Sequence, residues 1–131
     1  MPLYVCNCVR GAIAEEAKPK IAADITEAHC DVTGAPARFV HAVFFEEADR
    51  FPLMGNTAGV YGTIRAGRTQ QQIDEIAMRI RQSMSAHAGI ALDETGSMMV
   101  ETPASWVMEG GDVMPEPGEE AEWLAKHGVQ P

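Results

Sequence analysis

One pattern, a strand then a helix then a strand, occurs twice along this chain, and that repetition limits its fold more than any other feature. An alternating apolar run at residues 2–9 (Pro2-Leu3-Tyr4-Val5-Cys6-Asn7-Cys8-Val9) precedes Ile13, Ala17, Ile21, Ile25, Ala28 and Val32. Their mixed three and four spacing predicts a helix, closed by Gly34. A β-rich run follows at 39–45. After a loop holding Pro52, Gly55, Asn56 and Gly59, the order returns: a strand-like run at 60–64, a helix over 69–87, then a strand at 98–100. The second helix carries Ile73, Ile76, Ala77, Ile80 and Met84 on one face; Thr69 suits its N-cap and Gly89 its stop. Corresponding points such as Pro2 and Gly59, or Ala14 and Gln71, lie 57 residues apart, the spacing of a duplicated βαβ module.

The expected fold is therefore α+β: a four-stranded sheet with two helices on one face. The first unit takes 1–50 and the second 57–102, within a single domain. The other sheet face is left bare and apolar, and oligomerisation is the natural cover for it. Residues 103–131, with Pro103, Pro115, Pro117 and Pro131 and an acidic stretch, read as an irregular arm that wraps a neighbour through Trp106 and Trp123.

Composition narrows the function. With 46% hydrophobic residues in 131, the chain can build one real core. A net charge of -9, with scattered Lys and Arg, repels polyanions and argues against a nucleic-acid partner. Any anionic substrate must be held by local arginines. No stretch approaches the roughly 20 apolar residues of a membrane span, and no signal-peptide pattern opens the chain, so a cytosolic protein is expected. Cys6, Cys8 and Cys30 are an odd set, read as reduced thiols. Cys6-x-Cys8 with His29 or His41 lacks the usual metal-ligand spacing, so no metal site is expected.

Five positions could carry chemistry. Removal of Met1 would leave Pro2 as a secondary amine at the start of a strand. An ordinary α-amino group titrates at ~8, and nearby cations or burial disfavour its ammonium form, so that a useful fraction can be a neutral base at physiological pH. Pro2 can equally just open a strand, where its missing N–H costs nothing. Arg65 and Arg68, three residues apart across Gly67 where a strand gives way to a helix, can converge on one carboxylate or stand solvated at the surface. His29 lies on or beside the apolar stripe of the first helix, and Glu109 stands beside Gly110 and Gly111 in a stretch that suits a site loop or any turn.

Taken together, these positions give the chain a resemblance to the tautomerase superfamily, and within it to the cis-3-chloroacrylic acid dehalogenase subgroup. The matching segments are Ala22-Ala23-Asp24-Ile25-Thr26-Glu27-Ala28-His29, Val32-Thr33-Gly34, Arg65-Ala66-Gly67-Arg68, Pro103-Ala104, Glu109, Met114-Pro115-Glu116-Pro117-Gly118 and Glu122-Trp123. The resemblance implies a trimer, a cofactor-independent reaction, Pro2 as the catalytic amine, Arg65 and Arg68 on the substrate carboxylate, His29 assisting them, and Glu109 activating water. One position departs: Met98 stands where the subgroup has a Tyr, and a thioether cannot orient water. Tyr61, four residues before Arg65 and on the same side of its strand, is a possible accessory.

Three functions follow as expectations. A tautomerase would use neutral Pro2 as a base on small 2-oxo acids. A hydratase or dehalogenase of cis-3-haloacrylate-like acids would use protonated Pro2 as an acid, with Glu109 activating water. A non-catalytic oligomeric binding protein would use neither.

Overall fold

The computed structural model describes residues 2–128. In chain order its elements are β1 (Leu3–Cys8), α1 (Lys18–Thr33), β2 (His41–Glu46), β3 (Ala58–Arg65), α2 (Gln70–Ala88), β4 (Thr95–Thr102), a small hairpin of β5 (Met108–Glu109) and β6 (Asp112–Val113), and α3 (Glu120–Lys126). The two βαβ units are present. Each helix crosses between parallel neighbours, β1 with β2 and β3 with β4, and the units join through antiparallel β1 and β3, giving the order β2-β1-β3-β4.

Alternation along the strands decides what faces the helices. Tyr4, Cys6 and Cys8 of β1 and Ala58, Val60 and Ile64 of β3 meet Ile21 and Ile25 of α1 and Ile73, Ile76, Ile80 and Met84 of α2 in one buried core. Each buried aliphatic side chain here contributes about 1.5–3 kcal/mol of transfer free energy. Burial pushes the Cys6 thiol up to about 12, with Cys8 adding to the shift, so both sulfurs behave as core atoms. On the opposite face Val43, Phe45, Met98 and Val100 are exposed. The loop after β2 covers only part of it: Asn7 donates to the carbonyls of Ala48 and Phe51 and accepts from the Ala48 N–H, and Phe51 stacks on Phe45 with centroids 5.8 Å apart.

Helix boundaries follow their signals closely at three of four ends. Thr69 caps α2 in a reciprocal box with Gln72, and Gly34 and Gly89 end the helices with φ of 76° and 70°. The first end differs. Ile13 and Ala17 are buried but lie in the turn before α1, which begins at Lys18 with proline in its first turn, a position that needs no N–H donor.

The repeat needs one correction. Tyr4 and Val60 share the helix face while Gly59 looks to the other, because strand side chains alternate with period two. The same-face counterpart of Pro2 is thus Ala58, 56 positions on, rather than Gly59, while the capping glycines sit 55 apart. The arm is a second correction. It is not irregular, and within this chain it folds back: Phe39, Val107, Met114 and Leu124 form a small second core, with Trp123 packed against Phe39 at 5.9 Å. Trp123 donates to the Val113 carbonyl at 2.8 Å, and Trp106 is exposed. Among the described residues no helix is long and apolar enough to cross a membrane, and no cluster of three or more His, Cys, Asp or Glu is placed to hold a metal ion.

Candidate active site

Strand directions gather the chemistry at one end of the sheet. Parallel β1 and β2 both start there, and antiparallel β3 ends there, with Leu3 opposite both His41 and Thr63. Pro2 precedes β1 and is buried, its carbonyl accepting from the His41 N–H at 3.0 Å. Arg65 is the last residue of β3, and Arg68 lies in the turn that leads to Thr69 and α2. That turn is pinned to the end of α1, since Gln72 donates to the Val32 carbonyl at 3.2 Å and Arg68 to the Thr33 carbonyl at 3.4 Å.

His29, in the last turns of α1, is sealed in the same place. Its Nδ1 lies 2.7 Å from the Tyr4 hydroxyl, and Nε2 is buried with no hydrogen-bond partner among the described residues. Desolvation, then the charges of Arg68 and Arg65, hold the imidazole down to about 3, so it is neutral at ordinary pH. Burial raises the Tyr4 hydroxyl above its usual value, so it keeps its proton. If Tyr4 donates to Nδ1, the one group left unsatisfied is Nε2–H. If Nδ1–H donated instead, both the hydroxyl proton and the Nε2 lone pair would be stranded. The first arrangement wastes less, and it makes His29 a neutral donor. Gly62, opposite Tyr4 on β3, makes the geometry possible, because a Cβ there would lie 2.9 Å from the Tyr4 ring.

Arg65 is fully buried, 5.9 Å from the Phe39 ring centroid. It donates to the Pro115 carbonyl and, at 2.8 Å, to Glu120 of α3, which also lies 3.4 Å from Arg68. Desolvation opposes ionisation of Glu120, but the amides around it and the Arg65 guanidinium outweigh that and pull its carboxyl below the usual range. Desolvation and Arg65 lower Arg68. Glu109, on β5, comes to the same end of the sheet, with Oε1 3.7 Å from His41 Nε2.

Comparison with known proteins supports the fold. No protein-family model matches the sequence, and no curated protein does. Among solved structures, N1, a member of the cis-3-chloroacrylic acid dehalogenase family, superposes with a TM-score of 0.83 at 27% identity over 94% of this chain and 90% of that one. Native Ps01740 is 36% identical over 82% of this chain and 99% of that one, with a TM-score of 0.70. A fused 4-OT, solved as an asymmetric trimer, shares the fold at 24% identity, with a TM-score of 0.71 over 85% of this chain and 94% of that one. The chain belongs to the tautomerase superfamily.

Within this tautomerase-superfamily chain the structure brings together Pro2, His29, Arg65, Arg68 and, from the hairpin, Glu109. It does not bring Tyr61 or Met98 to them. Tyr61 faces the Arg65 side of β3, yet its hydroxyl donates to the Pro52 carbonyl, and both residues line a separate cavity of about 150 Å³ with Pro52, Leu53 and Asn56. The candidate residues have two partners that sequence reasoning passed over. Glu120 was hidden in an acidic stretch, and Tyr4 looked like one more residue of an apolar strand. Only the alternation shared by Tyr4 and the His29 helix contact hinted at the second.

Proposed function

We propose that this chain is a cofactor-independent enzyme in which Pro2, freed of Met1, transfers protons on small 2-oxo or unsaturated carboxylates. Whether Met1 is removed falls outside the described residues. The observation that carries the reading is that Pro2, two guanidiniums and a buried His29 Nε2 with no partner among the described residues all lie at one end of the sheet. The cations attract an acid, His29 donates to it without bringing charge, and their field disfavours an ammonium at Pro2, enriching the base. In the forward step neutral Pro2 takes a proton from an enol hydroxyl and returns it to carbon. Activity then rises with pH through the Pro2 pKa.

A second reading is favoured by one feature, the placement of Glu109 beside His41, whose backbone holds Pro2. As a hydratase or dehalogenase, Glu109 would activate water for attack at C3 of an unsaturated acid while protonated Pro2 delivers a proton to C2. Activity would fall with rising pH. A proton NMR time course of Met1-free protein with phenylenolpyruvate and cis-3-chloroacrylate, beside Pro2→Ala, separates the two. Pro2-dependent ketonisation alone supports the tautomerase; Pro2-dependent loss of the haloacrylate supports the hydratase. No dependence on Pro2 with either acid leaves the binding-protein reading.

We also propose a homotrimer, supported by the exposed Val43, Phe45, Met98 and Val100 and by the trimeric assembly of the fused 4-OT neighbours. The free cysteines suit a cytosolic setting.

A further inference from the structure

Arg65 and Arg68 face a carboxylate that the chain itself supplies. Glu120 Oε1 accepts from Arg65 at 2.8 Å and lies 3.4 Å from Arg68, while Oε2 accepts from the Gly118 N–H at 2.8 Å. The two arginines are therefore not equivalent. Arg65 has both of its terminal nitrogens engaged by the arm, through Pro115 and Glu120, and its side chain is 2% exposed. Arg68 reaches Thr33 and Glu120 only at 3.4 Å each, the weak end of hydrogen bonding, so it is the guanidinium able to turn toward a ligand.

Charge counting gives the consequence. Within the cluster of Arg65, Arg68 and Glu120, two guanidiniums and one carboxylate leave a single positive charge, and the buried His29 Nε2–H near them is a neutral donor. One carboxylate balances that cluster. A second carboxylate on the same small molecule would meet Glu120, whose side chain is 11% exposed, with no further guanidinium in this cluster to match it.

We infer that Glu120 sets the charge selectivity of this site, so that it takes small monocarboxylates and rejects dicarboxylates. The inference rests on the proposed reading that this end of the sheet receives the substrate, but its test reads binding rather than turnover, so loss of the catalytic reading leaves it decidable.

Propionate and malonate, three-carbon acids with one and two carboxylates, serve as probes in calorimetric titrations at pH 7 and fixed ionic strength. The wild-type chain should bind propionate at least as tightly as malonate, and Glu120→Gln should swing the ratio toward malonate by about tenfold. Glu120→Asp, which keeps the charge, should keep the propionate preference. An unchanged ratio in Glu120→Gln overturns the inference. Should that variant not fold, a wild-type preference for malonate overturns it alone, and binding of neither acid removes the site and the inference with it.

Discussion

With its pKa held near 3, His29 takes part in any reaction at neutral pH as an imidazole and not an imidazolium. Its usefulness then depends on which nitrogen carries the proton, and Tyr4 decides that. Tyr4→Phe should lower kcat/KM about tenfold, the worth of one buried hydrogen bond, mostly through KM, and should shift the His29 ring resonances in ¹⁵N spectra. Unmoved resonances would mean that the tautomer is set elsewhere. The same burial shapes stability. Between pH 6.5 and about 3 an unfolded chain binds a proton on this residue that the folded chain refuses, so stability falls as pH falls through that window, by up to about 1.4 kcal/mol per pH unit. Urea midpoints taken from pH 7 to 4 should show this slope in the wild type and a shallower one in His29→Gln. At this scale the Arg65 and Arg68 pair could be singled out from local spacing, whereas a role for His29 came only with the family resemblance. Tyr4 and Glu120 were not, since their partners sit 25 and 55 residues away.

The turn between β3 and α2 is the element on which the site depends, and its sequence announces it. Thr69 and Gln72 exchange hydrogen bonds of 3.1 and 2.8 Å, which fixes where the helix starts and hence where Arg68 stands. Thr69→Ala should cost about 1 kcal/mol in urea unfolding and, on the proposed reading, raise KM for the acid. On β3 itself, Gly62→Ala would drive a methyl group against Tyr4 and the Met99 sulfur. We expect a loss of about 1–3 kcal/mol, together with the Tyr4→Phe kinetic defect. Strands and helices of the two units could be read directly, because period two and period 3.6 survive in a half-buried layer. The arm could not. Its elements are too short to show a period, and α3, with seven residues, gains its place from Trp123 on Phe39 and Glu120 on Arg65 rather than from its own pattern.

For the whole molecule the uncovered sheet face is the dominant fact. Phe45 and Val100 lie on it on opposite edge strands, and Phe45→Glu combined with Val100→Lys should convert the proposed trimer to a monomer in light scattering, with a fall in activity if the assembly completes the site. An unchanged mass would place the contact elsewhere. The need for cover was legible from two helices serving four strands; the way the chain closes over its own arginines was not, because it is a long-range pairing of charges. The repeat itself carries a last consequence. Ala58, buried and in mid-chain, occupies in the second unit the place of Pro2 in the first. Duplication can copy a side chain but never a chain terminus, and a nitrogen at position 58 is always an amide. On the proposed reading, joining two modules into one polypeptide retires half of the amines, so a covalent probe for secondary amines should saturate at one equivalent per chain, whatever the size of the assembly.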